Sequence, residues 1–186
     1  MPNVIEPATT ARAKCRGCGE RIAASVLRFG ESVPNPYGEG DTTHWFHLEC
    51  AAYKRPEAFV ETVESAPDPV PDGERLIAEA RRGIENARLQ RVSGGERDPS
   101  GRAQCRQCRT AIPKGAWRIP LAIYEEDRFS PAGFIHASCA RAYFETADVL
   151  ARVKCFSPAL SEEDAAAIGA EVAAGAGAPG TGGAAG

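Results

Sequence analysis

The apolar and polar positions along the chain form two similar series of short elements. Two β-rich segments occur, SVLRF at 25–29 and AWRIPLAIY at 116–124. Each is followed by a loop rich in glycine, proline or acidic residues, at 33–43 and 125–133. Helical patterns come next, with Pro56 placed to open a second helix in the first series. The pattern predicts an α+β fold of two small modules, each combining a small antiparallel sheet with short helices.

The segment between the two series is mixed in character. A proline-rich break, APDPVPD, occupies 66–72, and a helical pattern follows at 73–92. The apolar stripe of this helix is narrow, so we expect it to dock on a neighbour. The stripe consists of Leu76, Ala80, Ile84 and Ala87.

An internal repeat sets the module boundaries. Residues 11–29 align with residues 101–119 at a constant offset of 90, and the H-x-x-C segments that follow align at an offset of 89. We therefore divide the chain into an N-terminal tail (1–10), a first module (11–65), a partly helical linker (66–100), a second module (101–156) and an acidic, then Ala/Gly-rich, disordered tail (157–186).

Charge is distributed unevenly along the chain. The net charge is −3, yet residues 100–156 carry nine Lys or Arg against five Asp or Glu, and residues 157–186 carry four acids and no base. No apolar run is long enough to span a membrane, and no secretory signal opens the chain. We therefore expect an intracellular protein, nuclear in a eukaryote or cytoplasmic and nucleoid-associated in a bacterium, with no membrane partner. Its cysteines should stay reduced.

Two sets of cysteine and histidine residues share one spacing. Three thiolates and one imidazole form a common tetrahedral set for structural Zn²⁺, and four protein ligands leave no position for a reacting water. We therefore predict two structural zinc ions, one per module. The ligands are Cys15, Cys18, His47 and Cys50, and in the second copy Cys105, Cys108, His136 and Cys139.

One cysteine and one histidine remain outside these sets. His44 could replace His47 as a ligand, but the second copy has no histidine at the equivalent place, which favours His47. Cys155 is interpreted as a small buried apolar side chain. Trp45 and Phe46 are expected to pack beneath the metal. No role is assigned to His44.

The repeated pattern resembles the poly(ADP-ribose) polymerase-type (PARP-type) zinc finger. GRAQCRQCRTAIPKGAWRI is similar to that family's opening segment, and HWFHLEC to its closing one. The resemblance covers roughly 11–65 and 101–155. It implies binding to DNA at strand breaks, through arginines that contact phosphates and loop side chains that stack on exposed base pairs. The matching positions are Arg12, Arg28, Arg102 and Arg118 for phosphate, and Tyr37 and Phe129 for stacking.

Two functions fit these patterns, and a third does not. The first is a non-enzymatic sensor or adaptor that recognises nicks or ends, without sequence preference, in the DNA damage response. The alternative is a zinc-stabilised protein–protein interaction module, which the acidic tail favours. An enzyme or a small-molecule substrate is not expected, because no nucleophile–base pair or phosphate-cradling glycine loop stands outside the finger motifs. A repair enzyme or other protein would then be a partner. Which finger dominates stays open: the basic surplus favours the second, and the HWFH segment favours the first.

Overall fold

The computed structural model describes residues 2–36, 38–125 and 127–175. Two three-stranded antiparallel sheets with flanking short helices form its framework, which confirms the predicted α+β fold. The first sheet has the strand order β1 (Val4–Pro7), β2 (Leu27–Pro34), β3 (Asp41–His47), and the second has β4 (Glu96–Arg97), β5 (Trp117–Glu125), β6 (Arg128–His136).

The helices are short and mostly follow the strands. Within the described part of the chain, none is both long and apolar enough to cross a bilayer. The α-helices are α1 (Leu48–Lys54), α2 (Pro56–Glu64), α3 (Gly73–Glu85), α4 (Ala140–Phe144), α5 (Leu150–Cys155) and α6 (Glu162–Ala174), and the 3-10 helices are Ala87–Arg91 and Ala137–Cys139.

The N-terminal segment is an edge strand of the first sheet, and not a tail as the sequence predicts for 1–10. Strand β1 pairs with β2 and places Glu6 opposite Arg28. In the second sheet, Glu96 lies opposite Arg118 in the same way. Because Glu6 and Glu96 also differ by 90, the structural repeat begins before residue 11. Antiparallel backbone pairing and these acid–arginine pairs attach each edge strand to its sheet.

The predicted loop at 125–133 is a second correction. Strand β5 continues to Glu125 and β6 already begins at Arg128, so most of this segment is a long hairpin. Tyr124 is paired with Phe129 across the two strands, and Asp127 adopts a left-handed backbone with φ of 59°. A connection this short forms a tight turn and keeps the flanking residues in the ladder.

The predicted linker is divided between the two modules. Helix α3 packs against α1 and α2 through Leu76, Ala80 and Gly83, which are buried, whereas Ile84 is 40% exposed. The buried face is thus rotated relative to the predicted stripe. Beyond α3, Leu89 and Val92 belong to the second module's core. Residues 66–100 therefore complete both modules and do not separate them.

The predicted disordered tail contains a folded helix. Helix α6 covers Glu162–Ala174, and its Ala165, Ile168 and Val172 are buried, the last two within the second core. The Ser161 side chain caps the helix by accepting a hydrogen bond from the Asp164 backbone N–H at 3.1 Å. Alanine supports the helix, and a few apolar residues at helical spacing are enough to dock it. The glycine-rich residues 176–186 lie outside the described residues.

Truncating the buried side chain of α6 tests this correction. Ile168→Ala should lower the free energy of unfolding by about 2–5 kcal/mol, because it leaves a cavity in the second core. Ile84→Ala is the matched control, since Ile84 is exposed on α3. Chemical denaturation of both variants measures the difference. An Ile168→Ala protein as stable as the Ile84→Ala protein would show that α6 does not pack on the core.

Candidate metal centres and their surroundings

Each module brings one predicted ligand set together. The two Cys-x-x-Cys pairs lie in turns before β2 and β5, and the histidine ends β3 or β6, with the last cysteine in the helical turn that follows. The ligand atoms of each set all lie within 4.8 Å of one another. The sets are Cys15, Cys18, His47 and Cys50, and Cys105, Cys108, His136 and Cys139.

The distances within the sets fit zinc. A tetrahedral Zn²⁺ with ordinary Zn–S and Zn–N bonds separates a sulfur from a nitrogen by about 3.6 Å. His47 Nδ1 lies 3.4 Å from Cys18 Sγ and 3.9 Å from Cys50 Sγ. His136 Nδ1 lies 3.5 Å from Cys108 Sγ and 3.8 Å from Cys139 Sγ. These geometries, with three soft sulfurs and one imidazole, support one structural zinc ion in each module.

Backbone groups orient the ligands. The backbone N–H of His47 donates to Cys15 Sγ at 3.3 Å, and that of His136 donates to Cys105 Sγ at 3.4 Å. His136 Nε2 lies 3.2 Å from the carbonyl oxygen of Ala111, so Nε2 carries the proton and Nδ1 keeps its lone pair for the metal. These contacts define which atoms face the ion.

The thiols in each cluster differ in acidity. Hydrogen bonds with Cys18 and Cys50 lower the pKa of Cys15 to about 3, while the pKa of Cys50 is raised, chiefly by its hydrogen bond with Cys15. Desolvation opposes ionisation of Cys108, although its side chain is exposed, and hydrogen bonds with Thr110 lower its pKa to about 6. Cys15 and Cys108 are therefore the thiols that most readily supply a thiolate to a metal ion.

The first module matches a known family. Residues 6–87 fit the family described as "Poly(ADP-ribose) polymerase and DNA-Ligase Zn-finger region". Residues 6–87 are a PARP-type zinc finger. We refer to the two modules below as the first and second finger, because the second has the same ligand set and sheet, which suggests a second copy.

Curated relatives extend the similarity into the second finger. Poly [ADP-ribose] polymerase 1 of Gallus gallus is 31% identical over 136 residues, covering 63% of this chain and 13% of that protein. Poly [ADP-ribose] polymerase of Sarcophaga peregrina is 25% identical over 148 residues, covering 68% and 14%. Polynucleotide 3'-phosphatase ZDP of Arabidopsis thaliana is 24% identical over 165 residues, covering 75% and 24%. The chain thus spans about one seventh of the polymerases and about a quarter of the phosphatase.

The four predicted phosphate-binding arginines have two different environments. Arg12 and Arg102 are exposed, each three residues before the first ligand cysteine of its finger. Arg28 and Arg118 are only 8% exposed. The arginine that precedes the Cys-x-x-Cys motif is therefore accessible in each finger, and the arginine that follows the motif is buried.

Acidic and aromatic side chains of the same protein contact both buried arginines. Arg28 Nη2 donates to Glu6 Oε1 at 2.6 Å, and its guanidinium lies 3.4 Å from the Trp45 ring centre. Arg118 binds Glu96, with Nε donating at 2.8 Å, and also pairs with the buried carboxylate of Asp98. Its guanidinium stacks on Phe134 at 3.7 Å. Paired acids and aromatic rings thus accommodate both arginine side chains inside the fingers.

The structure describes only one of the two residues predicted to stack on bases. Tyr37 lies outside the described residues. Phe129 is half-buried against the first finger's core, with its ring edge-to-face to Phe46 at 6.4 Å and 4.9 Å from the Tyr124 ring centre, so other aromatic rings already contact it. Phe46 is fully buried, as predicted, and Trp45 is half-buried.

His44 and Cys155 both lie where the two fingers meet. His44 is 4% exposed, and its Nδ1 is 3.4 Å from the Tyr124 hydroxyl. Burial, with the nearby charge of Arg16, lowers the pKa of His44, so it is neutral at pH 7. Cys155 packs on the first finger's core with its sulfur 3.8 Å from Cys50 Sγ. A sequence alignment of the two copies gives no sign of these contacts, because neither residue has an equivalent in the other copy.

Proposed function

We propose that this protein binds DNA at strand breaks through its two zinc-stabilised fingers, without reading the base sequence. The observation that supports this most directly is the exposed Arg12 and Arg102 at equivalent places in two fingers, one of which is a PARP-type finger. Contacts to phosphate position a protein on a duplex without sequence information. We propose a sensor or adaptor role inside the cell, with any chemistry at the break carried out by a repair enzyme or other protein.

The two fingers offer DNA different surfaces. In the second finger, the β5–β6 hairpin packs against the first finger through Phe129 and Tyr124, whereas residues 38–41 of the first finger's loop are exposed. The first finger therefore has the accessible loop, and Tyr37 in that loop is proposed to stack at the break. The second finger, with its basic surplus, is proposed to contribute phosphate contacts through Arg102. We do not include Arg28, Arg118 and Phe129 among the proposed DNA contacts, because other side chains of this protein already contact them.

Single substitutions should separate phosphate binding from break recognition. Arg102→Gln should weaken binding to nicked and intact duplexes by similar factors and reduce the salt slope by about 1, since it removes one phosphate contact. Tyr37→Ala should lower the affinity for nicked duplex about 5- to 150-fold, the range for one stacked base, and leave intact duplex almost unaffected. Fluorescence anisotropy at several salt concentrations measures both effects.

Arg81→Gln provides the control for charge, since Arg81 is exposed on α3 and pairs with Glu64. It should leave both affinities unchanged. Equal affinity of the unmodified protein for nicked, blunt and intact duplexes would contradict break recognition. If neither Arg102→Gln nor Tyr37→Ala changes binding, the protein–protein interaction module becomes the better hypothesis.

A further inference from the structure

A hollow of about 400 Å³ between the linker and the second finger is lined by four arginines. Arg88 and Arg91 come from the 3-10 helix Ala87–Arg91, and Arg106 and Arg109 come from the loop that holds Cys105 and Cys108. The volume lies within the range of ~300–1,000 Å³ found for small-molecule sites. The hollow exists only because the linker packs against this metal loop.

Buried Tyr143 positions the two linker arginines. Arg88 Nη1 donates to the Tyr143 carbonyl oxygen at 3.0 Å, and Arg91 Nη1 donates to the Tyr143 hydroxyl at 3.0 Å. Each guanidinium carries five N–H donors, so most of them remain for a ligand. The two side chains are therefore held at the wall of the hollow with unused donors.

The two arginines of the metal loop are also constrained. The Arg106 side chain lies over Gly133, where an added Cβ would stand 2.8 Å from Arg106 Nε. Arg109 has a left-handed backbone with φ of 66°, and the equivalent residue of the first finger is Gly19, with φ of 79°. A left-handed conformation favours glycine, so the second finger keeps an arginine where its backbone disfavours one. This placement adds a positive charge to the hollow.

The described residues that line the hollow carry positive charge only. Among the residues that the structure describes, none that lines the hollow is acidic, and the non-arginine lining includes Gln107, Ile123 and Ala132. Four like charges around one space repel each other, and a bound anion would relieve that repulsion. The first finger's loop has only Arg16 at the equivalent positions, with glycine at 17 and 19. The cluster is thus specific to the second finger and does not follow from zinc binding.

We propose that this hollow binds a phosphate monoester dianion, at a site separate from Arg12 and Arg102. Planar guanidinium groups match phosphate oxygens in paired hydrogen bonds, and a monoester carries more negative charge than a phosphodiester linkage. Ile123 and Ala132 provide apolar contact for the carbon atoms of the ester. The same chemistry is offered by the terminal phosphate of a broken strand and by a small phosphorylated compound.

Thermal unfolding of the full zinc-loaded chain tests the site. Inorganic phosphate and adenosine monophosphate, each titrated at constant ionic strength against chloride, should raise the Tm by about 3 °C at ten times the dissociation constant. Arg106→Gln and Arg109→Gly should abolish this rise, whereas Arg81→Gln should retain it. Arg109→Gly introduces the residue that the first finger has at this position, so it is expected to fold. An equal rise in all variants, or no rise above that in chloride, would overturn the proposal.

Nicked duplexes identify the source of the monoester. If the source is a strand end, a nick with a 5'- or 3'-terminal phosphate should bind about fivefold more tightly than one with hydroxyl ends, and Arg109→Gly should remove that difference. If phosphate raises the Tm but the ends bind equally, the site serves a small phosphorylated compound. The preference for nicked over intact DNA tests the proposed function separately, because it is measured with hydroxyl ends.

Discussion

Chelation of zinc is expected to unfold both fingers. Structural zinc contributes about 10–16 kcal/mol of binding free energy in small zinc fingers, which equals or exceeds the ~5–15 kcal/mol net stability of a typical domain. Without the ions, the Cys-x-x-Cys turns lose the link to the histidine and cysteine that follow β3 and β6. Circular dichroism and amide NMR spectra of the chelated protein should show loss of tertiary structure, and metal analysis of the native protein should give two zinc ions per chain.

A pair of cysteine variants sharpens this test within one finger. Cys15→Ala should bind a single zinc ion and unfold the first finger, because Cys15 is a ligand and is buried. Cys155→Ala is the matched control, since Cys155 contacts Cys50 but does not belong to the ligand set. It should keep two zinc ions and lose only about 1–2 kcal/mol, the packing of one small side chain. Retention of two ions by Cys15→Ala, or loss of one by Cys155→Ala, would contradict the ligand assignment.

Loss of the first finger should also affect the second. Arg152 and Phe156 extend from the second finger onto the first. The Phe156 and Tyr53 ring centres are 6.2 Å apart, and Arg152 binds Glu79. We therefore expect Cys15→Ala to broaden or shift the amide signals of α5 as well. Unchanged signals in α5 would show that the fingers do not depend on each other.

Arg152→Ala is the second substitution with a large expected effect. The Arg152 side chain is completely buried, and it joins the fingers by donating to Glu79 Oε2 at 3.1 Å and to the Glu79 carbonyl oxygen at 2.8 Å. Its guanidinium also lies 4.6 Å from the Tyr53 ring centre. Arg152→Ala empties this buried space and removes the hydrogen bond to the Glu79 carbonyl oxygen, which should cost about 2–5 kcal/mol. The Glu79 carboxylate keeps its ion pair with Arg82 at 2.6 Å, so it is not left unpaired. The Tm should fall by on the order of 10 °C.

Two controls separate charge from packing. Arg81→Ala removes an exposed ion pair between α3 and Glu64 of α2, and it should cost less than about 1 kcal/mol. Arg152→Met fills most of the volume without the charge and should be less destabilising than Arg152→Ala. If Arg152→Ala costs no more than Arg81→Ala, then Arg152 does not hold the fingers together.

Gly83 leaves room in α3 for this contact. An added Cβ on Gly83 would lie 3.3 Å from Arg152 Nη2, so the glycine in α3 leaves the room that the guanidinium uses. From the sequence alone, the same glycine indicates only a weaker helix. Its role depends on a side chain 69 positions further along the chain, which no local pattern can reveal.

The zinc ligands and the repeat could be read from the sequence because they depend on short-range spacing. A Cys-x-x-Cys turn and an H-x-x-C segment each place two ligands on one ion through local geometry, and comparison with the second copy favours His47 over His44. The pairing of Glu6 with Arg28 was also detectable in principle, because Glu96 stands at the same offset of 90. The structural repeat therefore reaches back to Glu6, before the start of the repeated motif at residue 11.

Tertiary structure alone decided which repeated residues are accessible. Arg28 and Arg118 match their repeat positions as well as Arg12 and Arg102 do, yet edge-strand acids and aromatic rings bury them. Phe129 packs in the contact between the two fingers. Helix α6 folds because its apolar side chains pack on an apolar face of the second core. The sequence determined two zinc-stabilised modules through local metal chemistry. Long-range contacts between the apolar faces of the two modules determined how the modules pack. The same contacts determined which charged side chains remain accessible to a ligand.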